Sequence, residues 1–297
     1  MSEIEGIDDE KVACLALMRS GRVSANETRK LLTVTGSFVE VLREALGSHF
    51  FTDDFDFAMR IAKNELQDLS RQGIALAALT CKNYPRRAKD LSAPPLGLFW
   101  QGVLDLAKHD AVSIIGSRFA TQAGLSLARE TSSIFCANGV VVGTGLAAGI
   151  DSAAHKMALN GAQLAMGVIG TGLDVHYPKE NAFIQSETAR RGLLLTQFLP
   201  GTGPSKRNFP IRNATMSALT LCNIVIEAGE FSGTRSQVNA GLRIGRPALI
   251  STSVVNGTVW GKQLTDSTND VYIFDTPGEA WSLFQNLRDK SEFARNF

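Results

Sequence analysis

The side chains best suited to chemistry are cations and small polar groups set among glycines. Arg118 follows Gly116-Ser117, where a guanidinium can fork onto a phosphate. Residues 205–213 carry Lys206, Arg207 and Arg212 together with Asn208, Asn213 and one ring, Phe209. They read as a loop with no core duty. Cations that take phosphates beside a ring that takes a base are what single-stranded nucleic acid requires, and one stacked base is worth about 1–3 kcal/mol. Gly116-Ser117, Gly145 and Gly233-Thr234 offer bare backbone N–H groups and helix starts, which suit phosphate oxygens. His155 and His176 have no sequence partner that suggests acid–base catalysis. His155 is expected to orient the turn after Asp151, and His176 to pack or to contact ligand. Glu227 and Glu230 flank the last of these loops and are expected to hold backbone amides or a ligand hydroxyl.

Several familiar chemistries do not fit. In Gly143-Thr144-Gly145 the next glycine is Gly149, one residue too far for the dinucleotide fingerprint, and no acidic residue ends the next strand to hold a ribose. Gly261-Lys262 is followed by Gln263, with no glycine five residues before Gly261, so there is no phosphate-binding P-loop. A Gly-x-Ser-x-Gly nucleophile elbow is absent as well. The four cysteines, Cys14, Cys81, Cys136 and Cys222, have no metal-ligand spacing. Cys136 and Cys222 read as small buried hydrophobes, and a disulfide framework is not expected. No cofactor and no metal is expected.

The elements that must position these groups are five apolar runs, each emptying into a glycine-rich loop: residues 111–115, 140–142, 164–169, 193–198 and 222–226. Helix-like segments follow most of them. Strands alternating with helices make a parallel sheet, and ligands of open α/β sheets bind along the edge where the strands end. Residues 74–79 read as a lead-in strand, the stretch to 106 as a wrap shaped by Tyr84-Pro85 and Pro94-Pro95, residues 271–274 as a last strand and 279–287 as a closing helix. Before them, residues 1–70 read as a small all-α domain of the SAM or helix-hairpin-helix kind. Its apolar stripe (Val12, Leu15, Ala16, Met18, then Leu31, Leu32, Phe38, Val41, Leu42 and Leu46) is punctuated by Gly21, Gly36 and Gly47. The 297 residues and 44% apolar content allow a large core, and a net charge of +1 restricts any nucleic-acid contact to a local basic patch. With no signal-peptide pattern and no apolar run near the roughly 18–20 residues of a membrane span, a soluble cytoplasmic protein is expected.

Read in order, these loops resemble those of the DprA/Smf family of DNA-processing proteins: Gly116-Ser117-Arg118; Gly145-Leu146-Ala147-Ala148-Gly149-Ile150-Asp151-Ser152-Ala153-Ala154-His155; Gly172-Leu173-Asp174 with Tyr177-Pro178; Phe209-Pro210-Ile211-Arg212-Asn213; and Glu227-Ala228-Gly229 with Ser232-Gly233-Thr234. The resemblance covers roughly residues 74–250. It implies an extended Rossmann-like domain, here residues 74–297, behind a small helical one. It implies binding of single-stranded DNA, loading of RecA recombinase in natural transformation and DNA recombination, a homodimer, and no enzymatic activity. It assigns DNA contacts to Arg118, Lys206, Phe209, Arg212 and Asn213, to which the amides of Gly116, Ser117, Gly145, Gly233 and Thr234 are added here. Ala214 follows Asn213 where the family commonly has another arginine, and no C-terminal winged-helix domain is expected. A rival likeness is to phosphoribohydrolases that cleave nucleotides, which have Gly-Thr-x-x-Glu; here Gly233-Thr234 leads to Gln237, an amide that cannot act as a general base. A nucleotide sensor on the same fold is the remaining alternative.

Overall fold

A computed structural model describes residues 7–46 and 52–295; Gly47 and the first six residues of the acidic N-terminus lie outside them. Four helices come first: α1 (Asp9–Ser20), α2 (Ala25–Thr35), α3 (Phe38–Leu46) and α4 (Thr52–Arg71). Asp8 caps α1 by accepting from the Lys11 amide at 2.9 Å, and Ser24 caps α2 through the Glu27 amide. In α4 the positions Phe55, Met59, Ala62, Leu66 and Leu69 recur at intervals of three and four and face the core, the spacing of one helix face.

The sheet is built from β1 (Ala75–Ala78), β2 (Gly97–Gly102), β3 (Ala111–Gly116), β4 (Val141–Thr144), β5 (Ala165–Val168), β6 (Leu193–Thr196), β7 (Cys222–Glu227), β8 (Ala248–Ser251) and β9 (Val271–Phe274). Their order in space is β1-β2-β6-β5-β4-β3-β7-β8-β9. β2 runs antiparallel to both neighbours, and every other pairing is parallel. Connecting helices are α5 (Gln122–Ala137), α6 (Ile150–Asn160), α7 (Ala182–Arg191), α8 (Asn208–Leu219), α9 (Gly233–Leu242), α10 (Thr252–Gly257) and α11 (Val259–Ser267), and α12 (Pro277–Arg295) closes the chain. The expected mostly parallel α/β fold is present, with the five apolar runs as β3 to β7. β2 and β8 add two strands to these runs.

Strand residues alternate between two apolar clusters, so both sheet faces are covered, as a parallel sheet requires. Val112, Ile114 and Val142 join one cluster with Phe135 of α5 and Phe284 of α12. Ala111, Ile115 and Val141 join the other with Met216 of α8, Val238 of α9 and Trp260 of α11. The N-terminal helices share the first cluster through Leu15 and Leu66, which meet Leu76 of β1 in it, and Arg29 donates to the Pro94 carbonyl at 3.0 Å. Helices and sheet therefore have one continuous core.

Candidate nucleic-acid interface at the strand ends

From β3 the chain steps outward through β4, β5 and β6, then returns to lay β7 on the other side of β3. The loops after β3 and β7 thus diverge from a topological switch point, the place where open α/β sheets bind ligands. A groove of ≈ 570 Å³ opens there. Gly116, Ser117, Arg118, Phe209, Arg212, Asn213, Gly233 and Thr234 all line it. Gly145 lines an adjoining recess of ≈ 80 Å³ together with Arg118, Phe209 and Arg212. Lys206 is exposed and lines neither; it lies in the segment leading into α8.

Arg118 is exposed, and among the described residues it forms no ion pair. Its guanidinium stands 5.9 Å from the centroid of the Phe209 ring, within cation–π range. The Phe209 ring also packs on Tyr177, with centroids 5.6 Å apart and planes tilted by 34°. Gly170 makes this possible: a Cβ there would come within 3.0 Å of the Phe209 ring. Tyr177 lies in the loop after β5 and Phe209 in the first turn of α8, so their contact is a tertiary fact.

Three expectations need correction. Residues 205–213 are not one loop, because α8 begins at Asn208. Pro210 sits in its first turn, where a missing N–H costs nothing. Met216 and Leu219 of the same helix are buried, so the segment has a core duty after all.

Arg212, expected to grip phosphate directly, is only 7% exposed. It donates to the Val168 carbonyl at 2.6 Å and to Asn213 Oδ1 at 3.0 Å. Burial, opposed by the charge of Asp151, pulls its pKa down to about 10.

The third correction concerns the backbone amides. The Ser117 amide donates to the Glu227 carbonyl at 2.6 Å. The Gly145 amide donates to Asp151 Oδ2 at 2.9 Å, and the amides of Gly116 and Ala147 also act on that carboxylate. Burial raises the pKa of Asp151, and Arg212 and these amides oppose that shift. These three predicted phosphate amides are thus engaged inside the protein: those of Gly116 and Gly145 tie β3 and the loop after β4 to the start of α6, and that of Ser117 ties the loop after β3 to the end of β7. Gly233 and Thr234 open α9 and line the groove, but the Thr234 amide donates to Ser232 Oγ at 3.2 Å in capping the helix.

Glu227 and Glu230 hold backbone amides, as expected. The Glu227 carboxylate accepts from the amide and hydroxyl of Thr121, and Glu230 accepts from the Val259 amide at 2.7 Å. His155 lies in the middle of α6. It is fully buried between the hydroxyls of Thr144 (2.9 Å) and Thr188 (2.7 Å), and burial pushes its pKa down to about 3. His176 is exposed beside Ser186. Gln237 is buried, its amide donating to Asn223 Oδ1 at 3.2 Å and reaching the Ser113 hydroxyl. Two groove-lining side chains escaped sequence reasoning, Phe119 and Phe231. Each is a lone aromatic in a polar loop, a pattern with no periodicity to mark it.

Fold and site together define an extended Rossmann-like α/β protein with an open groove at the strand ends from which the Arg118 cation projects. Residues 75–270 match the family described as DNA recombination-mediator protein A, and the chain belongs to this family of DprA/Smf proteins. It is 36% identical over 177 residues to DNA processing protein DprA of Streptococcus pneumoniae, covering 59% of this chain and 62% of that one. It is 33% identical over 176 residues to DprA of Bacillus subtilis, covering 59% of each. The chain therefore matches less than two thirds of the length of these relatives. The crystal structure of the S. pneumoniae protein superposes with a TM-score of 0.72 at 24% identity, over 93% of this chain and 98% of that one. DNA processing protein A of Helicobacter pylori, the subject of a structural study of its single-stranded DNA binding mode, superposes with a TM-score of 0.64 at 24% identity over 71% of this chain and 96% of that one. Among the described residues no helix is long and apolar enough to cross a membrane.

Proposed function

We propose that this protein binds single-stranded DNA along the strand-end groove without chemically altering it, and works as a homodimer that protects incoming strands and loads RecA recombinase in natural transformation and DNA recombination. The observation that carries the reading is Arg118: an exposed cation with no ion pair among the described residues, at the switch point, set against an aromatic ring. Lys206 extends the positive charge along the entry to α8. The N-terminus of α9, at Gly233 and Thr234, favours a phosphate through its dipole. Asn213 supplies polar contact, and the buried charge of Arg212 adds positive potential from below. The H. pylori relative, studied as a single-stranded DNA binder, supports the same substrate class. A cytoplasmic location follows from that role.

The test is fluorescence anisotropy with labelled oligo(dT) at several salt concentrations, competed by duplex DNA and by mononucleotides. Tight binding, resistant to mononucleotide and weaker for duplex, is expected. Arg118→Ala should weaken it roughly ten-fold or more, the worth of a charge-assisted hydrogen bond, and should reduce the salt slope by about 0.7. Unchanged affinity and slope in both Arg118→Ala and Lys206→Ala would overturn the assignment. Displacement by low mononucleotide would point instead to a nucleotide-binding protein.

A further inference from the structure

Phe119 and Phe231 are 94% and 103% exposed. Single exposed apolar side chains are ordinary; what separates these two is where they stand. Phe119 lies on the loop leaving β3 and Phe231 on the loop leaving β7, the two loops that diverge at the switch point, and both line the same groove.

Each ring is held out in water by anchors on both sides. The Phe119 amide donates to Ser117 Oγ at 3.1 Å, and two residues on, the amide and hydroxyl of Thr121 bind the Glu227 carboxylate. Before Phe231, the Gly229 carbonyl accepts from Trp260 Nε1 at 3.2 Å and Glu230 accepts from the Val259 amide. After it, Ser232 donates its amide to the Gly229 carbonyl at 3.2 Å and caps α9. Such loops are stiff, so a ligand stacking on either ring loses little entropy by ordering it.

The surface between the rings is polar and hydrogen-bonding, with Ser117, Ser232, Thr234 and the cation of Arg118, and its two carboxylates, Asp151 and Glu230, are held by the backbone amides of Gly145 and Val259. A protein interface core would be more continuously apolar. Isolated rings beside a cation match bases strung on a phosphate backbone. Phe209 also lines the groove but packs on Tyr177 and lies beside Arg118, whereas among the described residues neither Phe119 nor Phe231 has an aromatic or cation partner.

We propose that Phe119 and Phe231 are the base-stacking platforms of the groove, one on each side of the switch point, holding two bases of a single strand. This rests on the single-stranded DNA reading above.

The experiment uses the full chain and a labelled oligo(dT) of roughly 15 nucleotides. It compares Phe119→Ala, Phe231→Ala, the double variant, and Phe119→Trp with Phe231→Trp. Each alanine is expected to weaken binding about five-fold or more with an unchanged salt slope. Each tryptophan should keep wild-type affinity, and the alanine effects should vanish on a strand with abasic sites. Both side chains are solvent-exposed, so thermal unfolding should not move in any variant. If the wild type binds oligo(dT) and the alanine variants stay within two-fold of it, or lose as much on the abasic strand, this inference is wrong while the reading stands. Loss of self-association in the alanine variants with unchanged affinity would likewise overturn it, making the rings a contact between copies. Failure of the wild type to bind oligo(dT) at all would remove the reading, and this inference with it.

Discussion

Gly149→Ala should be among the most damaging single changes in the site, although it adds one methyl group. Gly149 has φ +75° and ψ −125°, a backbone region open essentially to glycine alone. Its missing Cβ would stand 2.2 Å from the Ser117 carbonyl oxygen and 2.8 Å from that of Arg118. Both are backbone atoms and cannot rotate away. The next residue, Ile150, donates its amide to that same Ser117 carbonyl at 3.1 Å, so relief of the clash must break the bond joining the loops after β3 and β4. Backbone strain is about 1–3 kcal/mol, and a buried amide left without its acceptor costs about 1–3 more, so roughly 2–6 kcal/mol should be lost.

Gly139→Ala is the control, because Gly139 has φ +77° but open space where a Cβ would sit. It should lose only the left-handed backbone term, about 1–2 kcal/mol. Urea unfolding followed by tryptophan fluorescence measures both, and the difference isolates the contact with the Arg118 loop. Should the two variants lose the same stability, the two loops do not touch as described and the argument fails. At temperatures where Gly149→Ala stays folded, it should also bind oligo(dT) more weakly than Gly139→Ala, since Arg118 rides on the displaced loop.

His155 provides a pH prediction. Its folded pKa is depressed to about 3 from 6.5, so its stabilising effect is complete above pH 6.5 and is lost as pH falls from there toward 3. Between pH 7 and 5 this amounts to about 2 kcal/mol, and urea midpoints should fall accordingly, with a flatter profile in His155→Gln. Gly145→Ala places a Cβ 2.0 Å from Arg212 Nη1, so it should cost about 1–3 kcal/mol. Most of that cost should disappear in an Arg212→Met background, and an additive double-mutant cycle would contradict the contact. Trp260→Leu removes a fully buried ring whose Nε1 holds the Gly229 carbonyl. A stability loss of about 2–4 kcal/mol should come with weaker oligo(dT) binding, because the loop carrying Phe231 loses an anchor.

How much was legible beforehand follows from how locally each feature is encoded. β3 to β7 are buried on both faces, and such strands read as unbroken apolar runs. β2 is antiparallel and begins and ends in glycine, with only Leu98, Phe99 and Trp100 as an apolar run, so it merged into the proline-marked wrap. β8 spans only four residues behind Pro247, too short a run to stand apart from the end of the core. The start of α8 was obscured by Pro210, which marks a loop in most contexts but is harmless in a first helical turn. Among the site residues, Arg118 could be located because it follows a strand end directly. Tyr177, Phe119 and Phe231 could not, since only the folding of separate loops onto one groove relates them.

The glycines carry a different lesson. In sequence they suggest a bed of bare amides for phosphate, yet three of those amides face inward, to Asp151 and to the Glu227 carbonyl. The glycines instead admit close neighbours: Gly145 the guanidinium of Arg212, Gly149 the backbone of Ser117 and Arg118, Gly170 the ring of Phe209, and Gly124 the carboxylate of Glu227. Each contact fixes a loop at the strand ends, and together they hold Arg118 exposed above a buried cation. Affinity in such a site comes from a few projecting cations and rings on rigid loops, and not from a continuous cradle of N–H groups. Binding should therefore tolerate changes of base sequence, weaken steeply with salt, and respond far more to the loss of one projecting side chain than to the loss of any one backbone amide.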